Sequence, residues 1–199
     1  MQPGIQSTVF TLKKKEFESG FSNIHQDLID RSLKGDEISQ SKLYGLYSKS
    51  MYNICLRLTS NEDDAKDVLQ EAFISAFQNL GTYKGEASFG AWLKRIVVNK
   101  AINHIKRKRV EFTELITDRY EIREEQPDLT KEQELTVEKI KNAIVKLPDG
   151  YRLVFSLYLL EGYDHQEIAG ILNISESTSK SQFNRAKKKL RELIEKDGI

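Results

Sequence analysis

The chain has 199 residues, 39% of them apolar and 31% charged, with three prolines and a formal net charge of +1. That length supports one sizeable domain or two small ones, and a near-neutral total leaves any polyanion-binding surface to the distribution of charge. A single cysteine excludes an intramolecular disulfide, and no apolar run nears the roughly 20 residues that span a bilayer.

Residues 1–22 carry Pro3 and Gly4 near the start, and Lys13, Lys14 and Lys15 interrupt what would be the apolar core of a leader. An amino-terminal extension, a cytoplasmic location and no intrinsic membrane segment are expected. From residue 23 the pattern is helical. Ile24, Leu28, Ile29 and Leu33 form a short amphipathic stretch stopped at Gly35, and Leu43, Leu46, Tyr47, Met51, Ile54 and Leu58 form a longer one ending near Thr59. Cys55 falls inside that second stripe as a small core hydrophobe.

Ser60 is placed to cap the next helix, with carboxylates at Glu62, Asp63 and Asp64 near its positive end. Its inner face reads Ala65, Val68, Leu69, Ala72, Phe73, Ala76, Phe77 and Leu80, with Gly81 as the stop. Its outer face carries Asp64, Asp67, Gln70, Glu71 and Gln78, with Ile74 among them. An acidic patch beside an outward isoleucine suits a protein interface.

A short loop leads to the stretch 85–109, which holds the only tryptophan and ends in four consecutive basic residues. Phe89, Leu93, Ile96, Val97 and Ala101 recur about one turn apart and predict one amphipathic helix. Arg95, Asn99, Asn103 and Lys106 fall away from that stripe, with Trp92 at its border. Amides bond base edges, cations neutralise phosphates and aromatic rings hold unstacked bases. A solvated helix with an ordinary core tryptophan fits the same segment, and the segment alone admits both.

Between Glu111 and Glu134 nine acids face three bases, a net of −6, around Pro127. This stretch reads as an acidic linker. The second domain opens with Ile140, Ile144, Val145 and Leu147 ahead of Pro148, then Leu153, Val154, Leu157, Tyr158 and Leu160 closed by Gly162. Asp164 with Glu167 predicts a capping box for a short helix through Leu172, and Asn173 and Ile174 turn the chain. Ser175 caps a last helix running to about Lys196, in which Lys180 to Lys196 holds seven bases and two acids.

A short capped helix, a tight break and a longer basic helix form the pattern of a helix-turn-helix. Ile168, Ala169, Leu172, Ile174 and Phe183 suit the junction core. Ser177, Lys180, Ser181, Asn184 and Arg185 point outward early in the last helix, with Lys188 placed for a backbone phosphate. The expected fold is all-α: two small helical domains, 23–110 and 135–199, joined by an acidic linker over 111–134, the second containing the helix-turn-helix.

Three blocks, DDAKDVLQEAFISAFQNL at 63–80, YKGEASFGAWLKRIVVNKAINHIKRKR at 83–109 and the stretch 147–193, resemble the bacterial RNA polymerase sigma factors, most closely the small extracytoplasmic-function group. The resemblance implies a factor that binds core RNA polymerase, directs it to promoters and assists their melting. It implies that Asp67, Gln70, Glu71 and Ile74 dock on polymerase. Tyr83, Lys84, Ser88, Trp92, Arg95, Asn99, Asn103 and Lys106 would hold the opened single strand of the −10 element, with Asn99 at a flipped base. Ser177, Lys180, Ser181, Asn184, Arg185 and Lys188 would meet the −35 duplex. An anti-sigma factor is admitted as a further partner, its identity left open.

Two positions depart from the family's G-T-V-K-S-R at the start of the last helix, where this chain has Ser177-Thr178-Ser179-Lys180-Ser181-Gln182. Ser179 places a hydroxyl where an apolar side chain is usual, and burying it unbonded costs about 1–3 kcal/mol. A bond to a preceding helix carbonyl is the expected remedy. Gln182 removes a common arginine. His25, His104 and His165 are too scattered to form a metal motif, there is no phosphate-binding loop or nucleophile elbow, and no cofactor, metal or enzymatic activity is expected. The competing function is a helix-turn-helix regulator that binds DNA without joining polymerase; a helical adaptor with no nucleic-acid role is the third.

Overall fold

The computed structural model describes residues 24–113 and 137–196. The expected extension over 1–22 lies outside them, as does the linker from residue 114 to its end. Every regular element among the described residues is a helix, and the helices fall in two regions.

The first region has four helices. α1 spans Gln26–Leu33, α2 Glu37–Thr59, α3 Glu62–Gln78 and α4 Phe89–Thr113. The apolar stripes read from the sequence are the buried ones: Leu43, Met51 and Ile54 on α2, Val68, Leu69, Ala72, Phe73 and Ala76 on α3, and Phe89, Leu93 and Val97 on α4. Ala101 of the same stripe is buried too, and Val98 and Ile102 widen it. Full burial of a leucine such as Leu43 or Leu93 contributes about 1.5–3 kcal/mol, so these stripes, rather than helix propensity, hold the region together. Cys55 is fully buried, and burial pushes its thiol up to about 12, which makes it inert packing. Ile24, Leu33 and Leu46, by contrast, are exposed.

Two sequence expectations change at the junction of α2 and α3. Ser60 does not cap α3. It takes the left-handed conformation, φ +52°, that ends α2, and Asn61 is the cap: its Oδ1 accepts the amides of Asp63 at 3.0 Å and Asp64 at 2.9 Å. Asp64, expected on the outer face, is mostly covered. α3 ends at Gln78, and Leu80–Thr82 adds one 3₁₀ turn with Leu80 buried.

The second region also has four helices: α5 spans Val137–Val145, α6 Asp149–Phe155, α7 His165–Leu172 and α8 Glu176–Lys196. Its core joins Ala143, Ile144 and Leu147 to Phe155 and to Ala186 and Leu190 of α8. The predicted capping box is present: Asp164 accepts the Glu167 amide at 2.7 Å and Glu167 accepts the Asp164 amide at 2.9 Å. Asn173 turns the chain in the left-handed region, φ +58°, and Ser175 accepts the Thr178 amide at 3.0 Å.

The unbroken helix expected through Leu160 is not what forms. After Phe155 the chain widens into a π turn over Ser156–Leu160, with the Glu161 amide donating to the Ser156 carbonyl at 3.0 Å. The wider turn shifts the register by one residue. Leu157 stays buried, while Tyr158, Leu159 and Leu160 turn out to exposure.

Candidate nucleic-acid and protein interfaces

Four features of the first region bear on function. On α3, Asp67, Gln70, Glu71 and Ile74 are all exposed, with Val68, Leu69, Ala72 and Phe73 buried behind them. Ile74 is 51% exposed. An acidic stripe around one uncovered aliphatic side chain offers a partner both charge attraction and apolar contact.

On α4, Arg95, Asn99, Asn103 and Lys106 are exposed along one face and Trp92 is half-covered at its edge. At 1.5 Å per residue the face runs about 16 Å from Arg95 to Lys106. The loop before it is tied down rather than slack. The Tyr83 hydroxyl donates to the Ala87 carbonyl at 2.8 Å, Gly85 takes φ +73°, and Ser88 accepts the Ala91 amide at 3.2 Å as the cap of α4. The Tyr83 ring meets Phe89 at 5.6 Å and Trp92 at 5.6 Å, and Phe89 meets Trp92 at 5.5 Å. These three rings pack at ordinary aromatic separations. They set the loop at the amino end of the Asn99 face, and Lys84 stands exposed in it.

A polar cluster that the sequence did not announce joins the start of α3 to the far end of α4. Lys108 Nζ donates to both Asp64 carboxylate oxygens, at 2.7 and 2.9 Å, and His104 Nε2 lies 3.2 Å from Oδ1. That imidazole nitrogen makes no hydrogen bond, and it adds a charge contact only when the ring is protonated. Partial burial pushes the Asp64 carboxyl up, but Lys108 and His104 outweigh it and hold the group below its ordinary 3.8. A depressed carboxylate stabilises the fold above its unfolded value and loses that contribution as pH falls through the folded value. Lys108 is 56% exposed, so the contribution is screened. We expect Asp64→Asn to cost about 1 kcal/mol or less at neutral pH. The difference should vanish once pH drops through the range below 3.8. Urea melts of both proteins across pH check this; a gap that widens in acid would contradict it.

In the second region Ser177, Lys180, Ser181, Asn184, Arg185 and Lys188 are exposed on α8. Lys180 pairs with Glu176 one turn earlier at 2.6 Å, and the Ser181 hydroxyl donates to the Thr178 carbonyl at 2.9 Å. Asn184 and Arg185 follow about one turn later, also exposed. Ile168 is fully buried at the junction, and Ala169, Leu172, Ile174 and Phe183 are partly covered around it. Ser179 is wholly buried, and its hydroxyl bonds the His165 imidazole rather than the expected helix carbonyl.

Residues 43–111 match the family model described as Sigma-70 region 2, and residues 138–190 that of Sigma-70, region 4. The ECF RNA polymerase sigma factor SigW of Bacillus subtilis is 32% identical over 172 residues, covering 81% of this chain and 91% of that protein. The chain belongs to the extracytoplasmic-function sigma factors. SigM of Mycobacterium tuberculosis is 26% identical over 179 residues, 88% of this chain and 89% of its own length. The sigma factor RpoE of Bartonella quintana, solved in complex with the anti-sigma factor NepR, shares the fold with a TM-score of 0.53 at 21% identity, covering 78% of this chain and 96% of that one.

An extracytoplasmic-function sigma factor binds core RNA polymerase and directs it to promoters, so this chain is a transcription factor and not an enzyme. The α3 and α4 faces fall inside the region 2 match, and the α8 face inside the region 4 match. Among the described residues no helix is long and apolar enough to cross a membrane, and no cluster of His, Cys, Asp or Glu could hold a metal ion.

Proposed function

We propose how the labour of promoter recognition is divided. Residues 23–110 form the domain that docks on polymerase through Asp67, Gln70, Glu71 and Ile74 and holds the opened −10 strand. That strand lies along Tyr83, Lys84, Ser88, Trp92, Arg95, Asn99, Asn103 and Lys106. Residues 135–199 form the domain that meets the −35 duplex through Ser177, Lys180, Ser181, Asn184, Arg185 and Lys188. Residues 111–134 link the two, and residues 1–22 are an extension. The observation that carries this reading is the segregation of surfaces: amides and cations with an aromatic cluster on α4, acids on α3, and the basic reading face on α8.

The RpoE relative was solved with an anti-sigma factor. By analogy an anti-sigma protein is proposed as an inhibitory partner here. Function in the cytoplasm, where polymerase and promoters are, belongs to the same proposal.

Within α8 the cations divide by role. Lys188 lies beyond the junction and serves backbone phosphate; Arg185 has the fork that bonds a guanine edge. Lys188→Ala should weaken holoenzyme binding about equally on all −35 sequences and reduce the salt slope by about one phosphate. Arg185→Ala should instead relax preference at one base pair, by about 1–3 kcal/mol. Holoenzyme binding to a panel of −35 substitutions at two salt concentrations tests both. Identical profiles for the two variants would reject the division. Binding of both variants that matches wild type on every fragment would remove α8 from the −35 contact.

A further inference from the structure

We propose that His165 and Ser179 form a polar latch that fixes the angle of α8 on α7 and thereby the register in which Asn184 and Arg185 meet base edges. Both are positioning residues, and the inference rests on the reading that α8 enters the −35 duplex.

The inner stripe of α8 runs through Ser179, Phe183, Ala186 and Leu190. Every member but Ser179 is apolar, and Ser179 is the most tightly enclosed with Ala186, at 0% exposure. A hydroxyl sealed in that stripe must bond or pay for its lost water. It bonds His165 Nδ1 at 2.9 Å, across the junction to the first residue of α7. The Ser179 amide is meanwhile committed to the Ser175 carbonyl at 3.0 Å.

The imidazole has little freedom to follow the serine elsewhere. Tyr158 stacks on it at 4.4 Å and 14° between planes, Phe183 meets its edge at 5.8 Å, and Tyr158 and Phe183 close on each other at 4.6 Å. The Asp164–Glu167 capping box fixes the backbone from which the imidazole projects. Tyr158 belongs to the π turn, faces outward there, and lays its ring over His165. Ser179 and Phe183 share one face of α8, but sequence position alone relates neither to Tyr158 or His165.

Apolar packing tolerates sliding, whereas a hydrogen bond weakens steeply with distance and angle. The latch sits beside Lys180 and about one and a half turns ahead of Asn184 and Arg185. A small rotation of α8 there is carried directly to the two side chains that need aligned, two-pronged bonds. Phosphate contacts by flexible lysines would absorb the same rotation. Loss of the latch should therefore erode discrimination between −35 sequences and leave non-specific affinity intact, a pattern that a general loss of fold does not produce.

The test uses the full chain assembled with core polymerase and a panel of −35 substitutions. His165→Phe keeps a ring in the aromatic stack and removes the bond; Ser179→Ala removes it from the other side. Each should reduce discrimination about 3- to 10-fold, the scale of one hydrogen bond. The double variant should lose little more than either single one. His165→Asn, whose amide lies near the position of Nδ1, should recover most of the discrimination. On the free full chain, the ring ¹⁵N shifts of His165 should report one pinned tautomer in wild type and a mixture in Ser179→Ala. Arg185→Ala serves as the reference. If it leaves the panel unchanged, the −35 reading of α8 fails and the latch falls with it. If Arg185→Ala alters the panel while His165→Phe and Ser179→Ala discriminate like wild type, the latch alone is overturned. Should His165→Phe fail to fold, Ser179→Ala and the tautomer spectra decide, and an unchanged tautomer in Ser179→Ala overturns the proposal.

Discussion

Asn99→Ala is expected to leave polymerase docking and closed-promoter binding near wild type while reducing strand opening at the −10 element by roughly 5- to 100-fold, the range of one good amide–base pair. Asn99 is exposed midway along the Arg95–Lys106 face, one turn beyond Arg95 and with the ring cluster of Tyr83, Phe89 and Trp92 on its amino-terminal side. An unstacked base costs a few kcal/mol to hold out of the duplex, and a captured base must find compensating bonds. The asparagine amide donates and accepts toward one base edge; alanine does neither. The helix itself gains slightly from the substitution, since alanine favours helix by a few tenths of a kcal/mol over asparagine. A loss of opening therefore cannot be blamed on a weaker helix. Permanganate reactivity across the −10 region, beside a gel measurement of closed complexes, separates the two stages. Wild-type reactivity would reduce Asn99 to a solvated surface residue. On a template with a pre-melted −10 bubble the defect should shrink only to the extent that the residue assists opening rather than holding the base.

The helices were legible because their burial is periodic. Val68, Leu69, Ala72, Phe73 and Ala76 on α3, and Phe89, Leu93 and Val97 on α4, read directly from one-turn spacing. The exposure of Asp67, Asn99 and Arg185 followed from the same period with the opposite sign. What failed was local competition and long-range pairing. Ser60 and Asn61 are adjacent and both suit a cap; α2 needs a left-handed residue to stop, Ser60 supplies it, and the cap passes to Asn61. Asp64 looked outward by angle alone, because the lysine that draws it in lies 44 residues further along. The π turn leaves no compositional mark, so one-turn spacing places Leu160 in a stripe that the extra residue rotates it out of. Ser179 shows the limit most clearly. Its need for a hydrogen bond was legible from one residue, but its partner was legible only once α7 and α8 were packed.

Reversing the acidic face of α3, Asp67→Arg with Glu71→Arg, is expected to weaken binding to core polymerase at least tenfold, about 1.4 kcal/mol or more. The two positions are one turn apart on the exposed side, so the reversed charges would stand together toward the partner. Neither is in the buried stripe of Val68, Leu69, Ala72 and Phe73, so helicity and melting should be nearly unchanged. Charge reversal should act chiefly on association and fade as salt rises, because exposed charges are screened within about 8–10 Å at moderate ionic strength. Ile74→Ala should behave differently. It removes an apolar contact from the same patch, so its effect should fall on dissociation and persist in high salt. Titration of labelled full-length chain with core polymerase at low and high salt reads both signatures. Affinity unaltered by the double reversal, with circular dichroism matching wild type, would take the docking role away from this face of α3.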